Sequence, residues 1–191
     1  MKEISLINHY KGAIGLRVFG LGPNFKPING LSKLQKLLDR NAFWAKSRTI
    51  NDLKKCLANS DVVVSLWVGN EIVGFGRALT DWIYRGVLWD IVIDKNHQGK
   101  GFGTLILKNL LSSKKIKNTK KLYLMTTNKK KFYSQFNFKE VTSQDLLILQ
   151  IWMITFWIKN TLLPNSYLML QWMRQITKRS YSYSKIDLRK Q

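Results

Sequence analysis

Residues 31–43, LSKLQKLLDRNAF, set Leu31, Leu34, Leu37 and Leu38 on one face of a 3.6-residue repeat, and this spacing predicts a helix that Ser32 can cap. A second helix is expected over residues 50–57, with Thr49 as N-cap and Asp52 three positions on. Two apolar runs follow, VVVSLWV (62–68) and EIVGFGRAL (71–79), joined by Gly69-Asn70, which reads as an antiparallel hairpin. Residues 82–86 read as a turn. The next run, VLWDIVI (87–93), is continuously apolar except for Asp90, the pattern of a central strand buried on both faces. Beyond it the chain predicts a helix at 104–111, a strand at 121–127 (KLYLMTT), a short helix in KKKFYSQF and a last strand at 138–149 (FKEVTSQDLLIL). That order, without internal repeats, describes a mixed α/β layered domain.

Length and composition agree with one such domain. The chain has 191 residues, 45% of them hydrophobic, enough to bury one core. The domain is expected to occupy 1–150, followed by an aromatic and basic extension, 151–191. The apolar run LLILQIWMITFWI (146–158) is 13 residues long, short of the ~20 that span a bilayer. The extension therefore reads as a packed aromatic helix or, alternatively, as a dimer or membrane-peripheral surface. A single cysteine, Cys56, precludes internal disulfides and is read as core. With only His9 and His97 besides, no metal site is expected. These features, with no signal-peptide pattern at the start, suit a soluble protein of a reducing compartment.

A formal charge of +21 changes the picture, because it implies an anionic ligand. The lysines at 114–121 and 129–131 are read as a solvated face that also steers such a ligand; no nucleic-acid motif accompanies them, so nucleic acid is not the expected partner. Anion chemistry concentrates in NHQGKGFGTL, where Gly99, Gly101 and Gly103 lead into the helix after the central strand. Unpaired N–H groups and the positive dipole end at a helix start attract phosphate, and glycines let it come close. The glycine spacing is not G-x-G-x-x-G, and lysines stand where a dinucleotide fold needs a ribose-binding acid. A Walker loop is absent as well.

The remaining pattern is Gln98-x-x-Gly101-x-Gly103, followed about thirty residues later by Phe132-Tyr133 and Phe136-Asn137-Phe138. It resembles the GNAT N-acetyltransferase family, whose pyrophosphate signature is [Gln/Arg]-x-x-Gly-x-[Gly/Ala] and whose later block reads Tyr-x-x-x-Gly-Phe. Asn137 stands at the family's glycine and tolerates the same positive φ. The phrases DVVVSLWVGNEIVGFGRALTD, LWDIVID and LYLMTT are most similar to chloroplast and cyanobacterial members, among them plant serotonin N-acetyltransferases and a plastid-encoded algal protein.

The resemblance implies the GNAT fold, a mostly antiparallel central sheet flanked by helices, and acetyl-CoA as co-substrate. It implies cofactor contacts at Ile91, Val92 and Ile93 on the central strand, at Gln98, Gly99, Lys100, Gly101, Phe102, Gly103 and Thr104 in the turn, and at Asn128. The strand at 87–93 is expected to part from that at 122–127 and leave backbone groups for the pantetheine arm. Direct transfer to a primary amine, on a protein or on an arylalkylamine such as serotonin, is implied, in a plastid stroma.

Two residues are candidates for catalysis. A phenol of pKa about 10 at Tyr133 can protonate the leaving thiolate; anchoring its helix to the sheet is the alternative role. Asp90 reads either as base or substrate anchor, or as a structural hydrogen bond to a neighbouring loop, and a β-bulge would decide which way it faces. Trp67, Trp82 and Trp89 could serve an aromatic amine or belong to the core, and the loops at 44–48 and 82–85 would select the acceptor. A non-catalytic module of the same fold, holding nucleic acid or a ribosomal partner, is the alternative function.

Overall fold

The computed structural model describes residues 3–147. In chain order the elements are β1 (Ile4–His9), α1 (Ile14–Phe19), α2 (Gly30–Asn41), α3 (Ile50–Ala58), β2 (Val62–Val68), β3 (Glu71–Thr80), β4 (Arg85–Ile93), α4 (Phe102–Ser112), α5 (Lys114–Lys117), β5 (Lys121–Tyr123) and α6 (Lys130–Ser134). All belong to a compact unit that closes at Gln135. The sheet runs β1-β2-β3-β4-β5 in chain order. Its first four strands are antiparallel, and β5 joins β4 in parallel.

Each face of the sheet is covered for a legible reason. Leu31, Leu34, Leu37 and Leu38 of α2, with Leu53 and Leu57 of α3, pack on Val63, Trp67, Phe75 and Val92. On the opposite face a Cβ at Gly76 would stand 2.8 Å from Ile106 and 3.0 Å from Leu110, so only a bare backbone there lets α4 lie this close. Thr49 and Asp52 form the expected capping box on α3.

The structure departs from the sequence pattern at the end. The strand expected at 121–127 stops at Tyr123, and residues 138–147 of the strand expected at 138–149 form none. Residues 139–147 are exposed throughout, so no buried face alternates along them to hold a strand. These residues belong to a second unit that begins at Phe136, where Asn137 takes φ +63°, the left-handed conformation expected of it. The extension at 151–191 lies outside the described residues.

Candidate active site

The turn between β4 and α4 is built on two left-handed glycines, Gly99 and Gly101, each at φ +77°. A Cβ at either would meet nothing within 4 Å, so both backbones look onto open space. Gly101 is the N-cap of α4 and brings no side chain to the helix start, which leaves the first-turn N–H groups through Thr104 without a side-chain cap. The turn is rigidly hung. Asp94 Oδ1 accepts from the Asn96 N–H at 3.0 Å, and Asn41 Oδ1, at the end of α2, accepts from the Lys95 N–H at 3.0 Å. Gln98 Nε2 donates to the Ile93 carbonyl at 3.2 Å, tying the turn to the end of β4. Lys100 is exposed, its Nζ 3.2 Å from the Asn96 carbonyl. The His97 ring stacks on Phe102, centroids 6.2 Å apart.

The strand edge beside the turn is open. Pairing of β4 with β5 covers only Arg85, Gly86 and Val87, whereas β4 continues to Ile93. Among the described residues no strand pairs with Ile91, Val92 and Ile93 on that side: β5 ends at Tyr123, so the edge is open because the neighbouring strand is short rather than because two strands diverge. The same end of the sheet receives α6. A Cβ on Gly103 would stand 3.3 Å from Phe132 Cζ and 3.9 Å from Ile93 Cγ1, so Gly103 is the gap through which Phe132 reaches the start of α4. Phe132 also meets Tyr133 edge-on, centroids 5.0 Å apart. Burial raises the Tyr133 phenol above its ordinary value and keeps it protonated. Asn128 is exposed and lines a shallow open depression of about 430 Å³ with Thr127, Lys129, Lys130, Lys131 and Phe132.

Asp90 lies elsewhere. Phe75 faces Val92 and Arg77 faces Trp89, so Asp90 and Ile91 together oppose Gly76 alone: a β-bulge, with Asp90 at φ +53°. The left-handed residue turns the Asp90 carboxylate to the side of Arg77 rather than the side that alternation from Trp89 would give. Its Oδ2 accepts from Arg77 Nε at 2.7 Å and from Arg48 Nη1 at 2.8 Å, while Oδ1 is buried without a hydrogen-bond donor. Burial pushes its pKa up, but the Arg48 hydrogen bond and the Arg77 charge outweigh this, and the net shift is downward. A carboxylate so held is a poor proton acceptor at neutral pH.

The arginines were missed in the sequence reading. The hairpin register sets Arg77 beside the only acid in the strand, and asking what neutralises Asp90 would have found it. Trp67 is fully buried, its Nε1 donating to Ser65 Oγ at 2.8 Å, and so faces no acceptor. Trp89 lies under the Arg77 guanidinium, 6.0 Å from the ring centroid, and Trp82 is exposed on the turn before β4.

Comparison with known proteins agrees with this geometry. Residues 59–140 match the family model described as the acetyltransferase (GNAT) domain. The chain is 35% identical over 92 residues to the uncharacterized N-acetyltransferase ycf52 of Porphyra purpurea, covering 46% of this chain and 51% of that one. It is 32% identical over 89 residues to the histone acetyltransferase TAP1 of Glycine max, covering 41% and 38%. The match thus spans about half the length, or less, of these curated relatives. A GNAT-family acetyltransferase of Streptococcus pneumoniae TIGR4 superposes with a TM-score of 0.58 at 16% identity, over 78% of this chain and 98% of that one, which speaks for the fold. An uncapped glycine turn, an open strand edge and a match over the same residues agree: residues 59–140 are similar to the acetyltransferase (GNAT) domain.

Proposed function

We propose that the protein moves an acetyl group from acetyl-CoA directly onto a primary amine. The observation that carries this reading is the conjunction at the end of β4: an uncapped helix start with two left-handed glycines facing open space, beside a strand edge that no other described strand covers. Acetyl-CoA supplies an activated thioester. N–H groups of residues 99–104 and the Lys100 ammonium bind its diphosphate, and the edge of residues 91–93 offers hydrogen bonds to its amide-bearing arm. The amine must be neutral when its nitrogen bonds to the acetyl carbon. Its proton leaves to water, since Asp90 is held ionised by two arginines. The carbon–sulfur bond breaks, the Tyr133 hydroxyl gives its proton to the sulfur, and the proton shed by the acetylated nitrogen passes to water, from which the phenolate is reprotonated.

The acceptor is an amine of a protein or of an arylalkylamine. Trp82 and Trp89, rather than buried Trp67, are the aromatic residues that could meet the latter. Resemblance to plastid-encoded algal proteins supports a place in the plastid stroma. Calorimetric titration with CoA tests the cofactor site. Incubation with labelled acetyl-CoA, an amine panel and a plastid protein extract tests transfer; CoA binding without label transfer to any amine would favour a non-catalytic module of the same fold.

A further inference from the structure

We propose that the groove at the far end of α4 binds an unpaired base of single-stranded nucleic acid. It is lined by residues from the end of β1, the start of β2 and the end of α4, and encloses about 300 Å³, the lower end of the range of ligand pockets. It is separate from the glycine turn: α4 begins at the turn and ends at the groove, roughly 15 Å apart at 1.5 Å per residue.

Three features select the ligand class. Two aromatic rings stand at the groove: Tyr10, 93% exposed, is part of its wall, and Trp82, 48% exposed, adjoins it. Trp82 is held in place, its Nε1 donating to Asp61 Oδ1 at 3.1 Å. Two ammonium groups lie near that ring, Lys115 Nζ 4.9 Å and Lys11 Nζ 5.5 Å from its centroid; both lysines also line the groove. The carboxylate of Asp61 is matched by Lys115, 3.7 Å away, and by the Thr80 N–H, so it leaves little unbalanced negative charge. Amide and hydroxyl groups come from Asn8, whose Nδ2 donates to Asn109 Oδ1 at 3.1 Å, and from Ser112 and Ser113, and His9 and Val62 complete the lining. Side-chain amides and hydroxyls pair with base edges, exposed rings stack on base faces, and lysines take phosphates.

The cationic strip continues beyond the groove. Tyr84, 59% exposed, carries Lys120 4.9 Å from its ring centroid. The Lys120 and Lys121 N–H groups donate to the Ile83 and Tyr84 carbonyls and join this turn to β5. Lysines alternating with exposed rings give a path for a flexible, stacked strand. A duplex hides its base faces, and a membrane offers none, so neither would use the rings. The net charge of +21 adds long-range attraction for any polyanion, and the groove adds the preference for unpaired bases.

Fluorescence anisotropy with a labelled RNA single strand of about 15 nucleotides tests this, alongside the DNA strand of equal sequence, the RNA duplex and anionic phosphatidylglycerol vesicles. Trp82→Asn is the decisive variant, because Asn accepts the residue's φ of +70° while removing the ring. It should weaken single-strand binding about 5- to 150-fold, the worth of one stacked base, without altering the salt dependence. Lys11→Gln should lower the slope of log K against log salt by about 0.7, and Lys54→Gln on α3 should change neither quantity. Melting temperatures equal to wild type confirm that the variants fold. Absence of single-strand binding overturns the proposal. So does equal affinity for duplex or vesicles with Trp82→Asn behaving as wild type, which would reduce the surface to unspecific charge.

Discussion

Arg48, in the loop before α3, donates from Nη1 to Asp90 Oδ2 at 2.8 Å, and so fastens that loop to the bulge of the central strand. Arg77 takes the same oxygen at 2.7 Å. The Asp90 side chain is only 2% exposed, so its bond to Arg77 is buried, whereas Arg48 reaches it from a partly exposed position.

Asp90→Asn should therefore destabilise the fold by about 3–5 kcal/mol, the usual cost of leaving a buried charge unpaired, read as a lower denaturant midpoint at constant m. Folding lowers the pKa of this acid, so the unfolded chain takes up the proton first. The stabilisation is complete above the ordinary carboxylate range and is lost as pH falls from it through the folded value. Acid unfolding of Asp90→Asn should lack that component.

His9 provides a second acid-sensitive contact, at higher pH. Ser65 Oγ accepts from the Trp67 indole and shares a hydrogen bond of 2.8 Å with His9 Nε2. Burial lowers the His9 pKa from 6.5 to about 4. Between these values the unfolded chain holds a proton that the folded chain does not, so stability should fall as pH drops from 6.5 towards 4. His9→Gln should flatten this slope in urea titrations across that range; an unchanged slope would show that His9 does not couple to folding.

Gly101 separates binding from folding. Gly101→Ala places a side chain at φ +77° and should cost about 1–2 kcal/mol of stability, with no steric neighbour to add to it. Gly101→Glu should fold comparably yet lose CoA binding in calorimetry, because a carboxylate enters the anion site. Retained affinity would remove the turn from the cofactor site.

Tyr133→Phe should lower kcat about 10²- to 10⁴-fold with CoA affinity nearly unchanged, if its hydroxyl protonates the thiolate. Since burial raises the phenol pKa, loss of activity by its ionisation should set in at higher pH than for an ordinary tyrosine. Wild-type turnover in a stably folded Tyr133→Phe protein would rule out the acid role.

Local patterns were enough for α2, the capped α3, the β2–β3 hairpin and the glycine turn, because each is specified by residues a few positions apart. The leucine spacing defines a buried face, Thr49 and Asp52 satisfy each other, and Gly101 alone relieves a left-handed N-cap. The turn's chemistry was legible for the same reason, since an uncapped helix start attracts anions wherever it stands. Asn137 was legible too: its positive φ is a property of one residue.

Tertiary structure decided what depends on partners distant in sequence. That Asp90 faces two arginines follows from a bulge whose existence requires the β3 register, and Arg48 arrives from 42 residues away. The strand pattern at 138–149 alternated too weakly to hold a strand over 138–147, where no buried face supports one. Trp67 and Trp82 are the same residue type, yet one is sealed under helices and the other stands on a turn near two lysines. Sequence fixes a side chain's chemistry and its place within one element's period, whereas its neighbours across the sheet follow from long-range packing, where burial is decided.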